Sequence, residues 1–278
     1  MTSWSRLPSG FRVGTRQCRS ALNKTQIPGA DFCVNPYFGC SHGCLYCYAS
    51  FMLKHFRITE PWGSFVEAKV NLPTVLQKEH KRLGRVLLGT VCDPYQPVEA
   101  DFQLSREVLR ILGQAGFEVE VLTKSDLVLR DLDLLMRYPS FSVELTITTL
   151  EEEVREFFEP GAAPIARRFE AAERLVKSGV ETTVFFGPVL PYFSDSEEKI
   201  GAILEAVAQT GVKWVLIDRL NYLKKKLPLF RLRLRQKFPL ALTAFERALK
   251  VPEVYAAELR AKAISALNRV GLDGRVVF

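Results

Sequence analysis

The chain lacks a long apolar run and an apolar N-terminal segment. No stretch among its 278 residues approaches the ~20 consecutive apolar residues that a membrane-spanning helix needs. Its beginning, MTSWSRLPSGFRVGTRQCRS, has no apolar core of the kind that a secretory signal carries. We therefore expect a cytoplasmic protein with no membrane partner.

Cysteine and histidine are scarce, with six cysteines and three histidines in the whole chain. Six thiols are too few for a disulfide scaffold, and a hydrophobic fraction of 47% is ordinary for a globular protein that needs no covalent staple. In a reducing compartment such thiols stay free or bind metal. The formal net charge of +7 favours polyanionic partners mildly, nucleic acid first.

What the sequence does contain is a regular alternation of two kinds of segment. Runs rich in Val, Ile, Phe and Thr predict buried strands at Phe32–Pro36, Val86–Val91, Glu118–Thr123, Ser142–Thr148, Thr182–Pro188 and Lys213–Leu220. Apolar residues at helical spacing predict helices at Thr74–Leu83, Ser105–Ala115, Leu127–Arg137, Ile165–Ser178 and Glu197–Thr210. Six β/α units in a row predict an α/β protein with a parallel sheet, either open or barrel-like, and a site at the C-terminal ends of its strands.

Two flanking segments differ from this central part, residues 31–220. Residues 1–30 are polar, punctuated by glycine and proline and without periodicity, which indicates an N-terminal arm. Residues 221–278 predict two helices, Ala241–Leu249 and Pro252–Val270, followed by a short tail. We therefore expect three parts, an arm, a central α/β domain and a small C-terminal extension.

Three of the six cysteines fall within eight residues, with the spacing C-x3-C-x2-C at Cys40, Cys44 and Cys47. Three thiolates on one loop can grip three corners of an iron–sulfur cubane and leave its fourth iron open for chemistry, whereas an electron carrier has four cysteines. A zinc site that uses His42 as its fourth ligand is an alternative, although zinc sites usually pair two knuckles. Chance clustering is a further alternative.

Several stretches together resemble one enzyme family. C-x3-C-x2-C at the start of a βα series, with the aromatic Tyr46 before the last cysteine, resembles the radical S-adenosylmethionine superfamily, and the match extends to its spore photoproduct lyase-like group. The matching stretches are Ser20–Lys24, Asn35–Tyr48, Cys92–Glu99, Thr123–Ser125 and Glu159–Gly161. The resemblance implies a partial (β/α)6 TIM-like barrel that holds a 4Fe–4S cluster and S-adenosylmethionine.

The resemblance also implies roles for individual residues beside the three cysteine ligands. Tyr46 and Tyr48 match two tyrosines that lie by the cofactor and are implicated in radical relay. Asp93 follows the second strand, where it would accept the ammonium group of S-adenosylmethionine. Lys124 follows the third strand, where it would meet the carboxylate, and Thr146, near the end of the fourth, matches a serine that contacts the cofactor.

One position departs from the family pattern. In spore photoproduct lyases a cysteine just past the second strand returns a hydrogen atom to the product radical, and aligned on Asp93 it would fall at Thr90. This chain carries Cys92 instead, two residues further on. We assign Cys92 as a candidate catalytic hydrogen donor, with a small buried residue as the alternative.

A basic run follows the last predicted strand, between Arg219 and Lys237, and contains no acidic residue. Within it Arg231, Arg233 and Arg235 alternate with leucines, which predicts a strand with one basic face. Such a face could lie against the phosphates of DNA or could be a solvated edge. By contrast, Arg167 and Arg168 begin a predicted helix, where solvation is expected.

Together these features predict a radical enzyme that abstracts hydrogen from its substrate, with a thymine-dimer type DNA lesion as the first candidate. The alternatives are a radical enzyme acting on a small molecule or protein, and an iron–sulfur or zinc module without catalysis. We expect a monomer with two partners, DNA and a reductant such as flavodoxin or ferredoxin.

Overall fold

The computed structural model describes residues 4–6, 11–79, 83–221 and 226–278. Its strands are β1 Trp4–Arg6, β2 Arg12–Arg16, β3 Asn23–Lys24, β4 Phe32–Val34, β5 Tyr37–Gly39, β6 Phe65–Lys69, β7 Arg85–Leu88, β8 Glu118–Thr123, β9 Phe141–Ile147, β10 Glu181–Val189, β11 Trp214–Arg219 and β12 Asp273–Val276. Its α-helices are α1 Phe51–His55, α2 Leu72–Glu79, α3 Glu99–Phe102, α4 Leu104–Ala115, α5 Leu132–Arg137, α6 Glu152–Phe158, α7 Ile165–Lys177, α8 Glu197–Gln209, α9 Leu227–Lys237, α10 Pro239–Lys250 and α11 Pro252–Val270. Short 3₁₀ helices cover Tyr48–Ser50 and Asp126–Asp131.

The main sheet has eight strands in the order β12-β11-β10-β9-β8-β7-β4-β3. The six predicted strands are β4, β7, β8, β9, β10 and β11, and each pairs in parallel with its neighbour. Within the described ranges no pairing joins β3 to β12, so the sheet curves without closing. The predicted partial barrel is confirmed.

Alternation along each strand separates the two faces of this sheet. In β9, Val143, Leu145 and Ile147 pack outward into the core beneath the helices, to which α7 contributes Leu175 and α8 contributes Val207. Residues at the intervening positions face the interior of the barrel, where polar side chains collect near the strand ends.

The N-terminal segment is more ordered than its lack of periodicity predicts. A second sheet has the order β1-β2-β6-β5, in which β2 pairs in parallel with β6. Glu79 on α2 accepts hydrogen bonds from the backbone N–H groups of Ala21 at 2.8 Å and Leu22 at 3.0 Å. The order arises because the backbone groups of these residues pair with elements that are distant in sequence. The three-part division of the chain stays a prediction.

The predicted C-terminal helices are present as α10 and α11, and the tail adds a strand that was not predicted, β12, parallel to β11. The predicted strand at Arg231–Arg235 was wrong, because these residues lie within helix α9. Phe230 and Leu234, four residues apart, are the buried face of that helix, so its true period is helical. Lys224 and Lys225 of the basic run, and the end of the predicted helix Thr74–Leu83 at residues 80–82, lie outside the described residues.

No described helix combines the length and apolar character that crossing a bilayer requires.

Candidate active site

A cavity of about 310 Å³ lies at the C-terminal ends of the barrel strands, and we call it the upper cavity. This is the edge at which parallel sheets place their sites. All nine residues that the sequence singled out as site residues line it: Cys40, Cys44, Cys47, Tyr46, Tyr48, Cys92, Asp93, Lys124 and Thr146. The structure therefore brings together side chains that are spread over 107 positions of the chain.

The three cysteines lie on a loop, residues 40–47, that we call the ligand loop. It leaves β5 of the small sheet and enters the 3₁₀ helix that begins at Tyr48. Backbone hydrogen bonds fold it back on itself, from Gly43 N–H to Cys40 O at 3.3 Å and from Cys47 N–H to Cys44 O at 3.1 Å. Two tight turns thereby direct three nearby thiols at the same cavity.

The chemistry of this donor set fits an iron–sulfur cluster. Burial raises the pKa of the Cys44 thiol to about 12 and raises the pKa of Cys40 and Cys47 as well, so these buried thiols ionise readily only when a cationic group binds them. In the described part of the chain, no three His, Cys, Asp or Glu side chains converge closely enough to hold one metal ion. His42 Nδ1 lies 3.3 Å from Asp93 Oδ2 rather than among the thiols. The geometry therefore favours a multi-iron cluster over the zinc alternative.

Asp93 is surrounded by four protein groups. Its carboxylate accepts hydrogen bonds from Tyr95 N–H at 2.9 Å, Thr123 Oγ1 at 2.8 Å and Lys124 N–H at 2.7 Å, and His42 lies beside it. Burial opposes its charge, yet His42 and these donors lower the pKa of Asp93 to about 2. Asp93 is a permanent anion at the cavity wall that also joins the ends of two strands.

Lys124 and Thr146 come together from neighbouring strand ends. Lys124 Nζ lies 3.5 Å from Thr146 Oγ1, and its cation lies over the Tyr46 ring at 6.0 Å from the centroid. Burial alone would lower the pKa of Lys124, but a thiolate at Cys44 and the carboxylates of Glu159 and Asp93 outweigh burial and raise it. The upper cavity therefore holds a charged ammonium next to a hydroxyl, a combination that suits a carboxylate.

The two tyrosines of the ligand loop differ in environment. The Tyr46 hydroxyl is buried and donates a short hydrogen bond to Glu159, and burial followed by that carboxylate raises its pKa. Tyr48 is 45% exposed and donates to the backbone carbonyl of Thr90. Tyr46 therefore braces the loop from within, whereas Tyr48 covers the mouth of the cavity.

Cys92 is buried, and its Sγ lies 3.8 Å from the side-chain oxygen of Asn35. The same Asn35 side chain accepts from Val91 N–H at 2.8 Å and donates to Thr90 Oγ1 at 2.9 Å, which fixes this part of the strand-end loop. Burial raises the pKa of Cys92 to about 12. Cys92 is thus a protonated thiol on the cavity wall, and Thr90 lines the same wall.

Sequence reasoning missed a buried network behind the ligand loop, which we call the Glu159 network. Glu159 accepts from the hydroxyls of Tyr46 and Thr148, and its other oxygen lies 2.6 Å from Arg168 Nη2. Arg168 also donates to the carbonyl oxygens of Ala163 at 2.8 Å and Thr146 at 3.1 Å. The expectation that Arg168 is solvated was wrong, since only 1% of the residue is exposed.

The network reaches the ligand loop through Gly161. Its N–H donates to His42 O at 3.0 Å, and a Cβ at this position would lie 2.1 Å from Ser41 O. Only glycine fits such a close approach of two backbones. The signal that could have found the network was the motif Glu159–Gly161 itself, which the resemblance already contained.

A second hollow, of about 730 Å³, opens at the opposite, N-terminal ends of the strands. Leu122, Glu144 and Phe185 line both hollows. Burial followed by the nearby Glu120 raises the pKa of Glu144 to about 8. This end of a parallel sheet carries stability rather than chemistry, so the smaller upper cavity is the candidate active site.

Comparison with known proteins agrees with this geometry. The family model of the radical SAM superfamily matches residues 34–204. An uncharacterized protein of Methanocaldococcus jannaschii is 38% identical over 185 residues, which cover 66% of this chain and 70% of that protein. An uncharacterized protein of Mycobacterium tuberculosis is 31% identical over 218 residues, and the match spans 73% of this chain but only 64% of that relative.

Among solved structures, spore photoproduct lyase complexed with dinucleoside spore photoproduct superposes with a TM-score of 0.70 at 16% identity, covering 95% of this chain and 80% of that one. A mutant of that lyase was solved with bound AdoMet, which is S-adenosylmethionine. The ligand loop, the strand-end cavity and the family match agree: this chain belongs to the radical SAM superfamily, whose members use a 4Fe–4S cluster and S-adenosylmethionine.

Proposed function

We propose that the chain abstracts a hydrogen atom from a thymine-dimer type lesion in DNA and returns one to the product from Cys92. The observation that carries the proposal is the upper cavity, which gathers three cluster ligands, a charged binding pair and a separate protonated thiol. When bound there, a reduced cluster would supply the electron that cleaves S-adenosylmethionine to a 5′-deoxyadenosyl radical. The residues of the chain must hold, orient and shield the reactants.

Binding of S-adenosylmethionine falls to three groups in this proposal. Lys124, with Thr146 beside it, takes the carboxylate, and Asp93 faces the ammonium group. The cation and the anion stand on adjacent strands, since β7 leads to Asp93 and β8 to Lys124. Fixed charges of opposite sign at adjacent strand ends match the two ends of an amino acid and orient it without further movement.

Cys92 is suited to hydrogen-atom return because it stays a thiol at neutral pH. Its S–H bond breaks as a C–H bond forms on the substrate radical, and the sulfur becomes a thiyl radical. A hydrogen atom from 5′-deoxyadenosine would restore the thiol, and the 5′-deoxyadenosyl radical would form again. A thiolate could not perform this step, and the place of the protonated Cys92 on the wall of the upper cavity supports a donor role two residues away from the position in the family pattern.

Two features that do not involve the cofactor support a DNA substrate. The similar solved structures include a lyase with a dinucleoside spore photoproduct, which is a nucleic-acid lesion. In this chain α9 presents exposed arginines outside the barrel, and phosphate contacts by arginine position a duplex. A lesion must leave the duplex to reach a cavity at a strand end, and a lesion that pairs poorly costs less to extrude.

A deuterium-transfer assay tests this function. The substrate is a dinucleoside lesion labelled at the carbon that loses hydrogen, incubated with reconstituted enzyme, dithionite and S-adenosylmethionine. We expect label in 5′-deoxyadenosine. Cleavage of S-adenosylmethionine without label transfer would indicate that the substrate is a small molecule or a protein. Absence of any cleavage would indicate an iron–sulfur module without catalytic activity.

The role of Cys92 is tested in the same assay with unlabelled lesion in D₂O, where the thiol exchanges its proton. The wild-type chain should place solvent deuterium in the product, and Cys92→Ala should lose this incorporation while still consuming substrate. Cys18→Ala is the matched control, because Cys18 is a free thiol that does not line the upper cavity. Equal incorporation by all three proteins would remove Cys92 from the reaction.

A further inference from the structure

One cation of the C-terminal extension contacts the ligand loop. Lys226, immediately before α9, donates from Nζ to the backbone carbonyl oxygens of Leu45 at 3.2 Å and Cys47 at 2.5 Å. These acceptors lie about 180 residues earlier in the chain. The contact therefore joins two parts of the molecule that only the fold brings together.

Apolar packing holds Lys226 in this place. Phe230 and Leu234, on the buried face of α9, pack in one hydrophobic cluster with Cys44, Tyr46 and Phe158. Phe158 also accepts a backbone hydrogen bond from Leu45 N–H at 2.8 Å. Helix α9 is thus docked on the ligand loop, and its first turn directs the ammonium at the loop carbonyls.

The charge of Lys226 is not neutralised by a protein carboxylate. Two other cations of α9 have acidic partners, Arg231 with Glu246 at 2.6 Å and Lys237 with Glu153 at 3.3 Å. Lys226 has none within ion-pair distance among the residues that the structure describes, and its ammonium lies against the carbonyls of Leu45 and Cys47, where the thiols of Cys47 and Cys44 interact with its charge. Its positive charge therefore acts on whatever those thiols bind.

We propose that Lys226 is a positioning and tuning residue of the iron–sulfur site. Its hydrogen bonds fix two carbonyl groups near the C-terminal end of the ligand loop, those of Leu45 and Cys47, and its charge favours the reduced cluster. A cluster held by three thiolates gains one negative charge on reduction, so a nearby uncompensated cation stabilises the reduced form more than the oxidised form. The proposal rests on the cluster and is independent of the substrate.

Charge and hydrogen bonding can be separated by choice of substitution. Lys226→Gln keeps a donor and loses the charge, Lys226→Arg keeps both, and Lys226→Met loses both. Lys237→Gln is the matched control, because it removes the same charge from the far end of the same helix, where the side chain is partly exposed. Each full-length variant is reconstituted anaerobically, and iron content is measured per chain.

The deciding measurement is the midpoint potential of the loaded fraction, followed by electron paramagnetic resonance during a redox titration without substrate. We expect Lys226→Gln to load iron and to be about tenfold harder to reduce, a shift of about 59 mV to lower potential. Lys226→Arg and Lys237→Gln should match the wild-type potential, and Lys226→Met should lose iron.

Three results overturn the proposal. One is an unchanged potential in Lys226→Gln, which means that the charge does not act on the cluster. Another is equal loss of iron in Lys226→Arg and Lys226→Gln, since the shape of the lysine side chain, and not its charge, would then determine whether the cluster is held. If Lys226→Gln alone fails to load while Lys226→Arg loads fully, the charge holds the cluster instead of tuning it, and that result also overturns the proposal.

Discussion

Two regions of the molecule concentrate charge, and they do so in opposite ways. The Glu159 network has two ionised groups, Glu159 and Arg168, that are almost completely buried and bonded to the loop behind the cysteines. The run between Arg219 and Lys237 has many basic residues and no acidic ones, yet most of those on α9 are exposed to solvent. The run stands out in the sequence, whereas the network does not.

The difference teaches that the density of charged residues along a sequence does not predict whether a charged side chain is buried and bonded or exposed to solvent. On α9, Arg231 makes two bonds to Glu246, at 2.6 and 2.9 Å, so an acidic residue from α10 neutralises it. Arg233 lies on another side of the helix from Arg231 and Arg235, because positions two apart do not share a helical face. A single basic stripe of three arginines therefore does not exist.

The largest effect should come from breaking the buried pair. Arg168→Met leaves Glu159 as an uncompensated buried anion, so we expect a loss of about 3–5 kcal/mol in the free energy of unfolding. Arg167→Met is the adjacent control: its side chain is 61% exposed and pairs with Asp126, so it should cost about 0.5 kcal/mol or less. Urea unfolding of both variants without cluster measures the difference, and equal losses would contradict the contrast between the two regions.

An intermediate effect should come from Lys124 in the upper cavity. Lys124→Ala should weaken binding of S-adenosylmethionine by roughly 10–100-fold, because a charge-assisted contact is worth about 1.5–3 kcal/mol. The iron content should not change. Lys199→Ala removes the same charge from an exposed pair with Glu151 and serves as control. Isothermal titration calorimetry of the reconstituted proteins decides, and unaltered affinity in Lys124→Ala would take Lys124 out of the cofactor site.

The smallest effect should come from the exposed arginines. If Arg233 or Arg235 contacts a phosphate of duplex DNA, its replacement by Ala should flatten the slope of log K against log salt by about 0.9. Arg231→Ala should leave the slope unchanged, because the Arg231 guanidinium already forms an ion pair with Glu246. Fluorescence anisotropy over a range of salt concentrations gives the three slopes. A flattening by Arg231→Ala alone would show that the pair with Glu246 opens on DNA.

The central fold could be predicted because local patterns and tertiary contacts agree there. The predicted strand Glu118–Thr123 has the observed bounds, as does the predicted helix Pro252–Val270 in the C-terminal extension. Helix α9 could not, because alternating Arg and Leu imitates a strand, and Leu232 is exposed although it fits that alternation. Strand β2 was missed because its pairing partner β6 lies some fifty residues away.

The resemblance to the radical S-adenosylmethionine superfamily implied the cavity residues, and the rule that parallel strands place their ends together agrees with the positions of Asp93, Lys124 and Thr146 in the upper cavity. The Glu159 network could not be predicted, because Arg168 approaches Glu159 only after α6 and α7 fold back on each other. Lys226 was missed for a related reason, since its acceptors are backbone carbonyls, which carry no side-chain signal. Sequence patterns identify groups that face a shared cavity better than groups that support it from behind.

The small sheet has a consequence for the edges of the molecule. Strand β6 lies between β2 and β5, and the last residue of β5 directly precedes Cys40. If the chain lacked β1 and β2, β6 would present a row of unpaired N–H and carbonyl groups to solvent, a template for pairing with a second copy. Strand β2, in the N-terminal segment, therefore covers the edge of β6 that faces away from β5 and keeps it from pairing with another molecule.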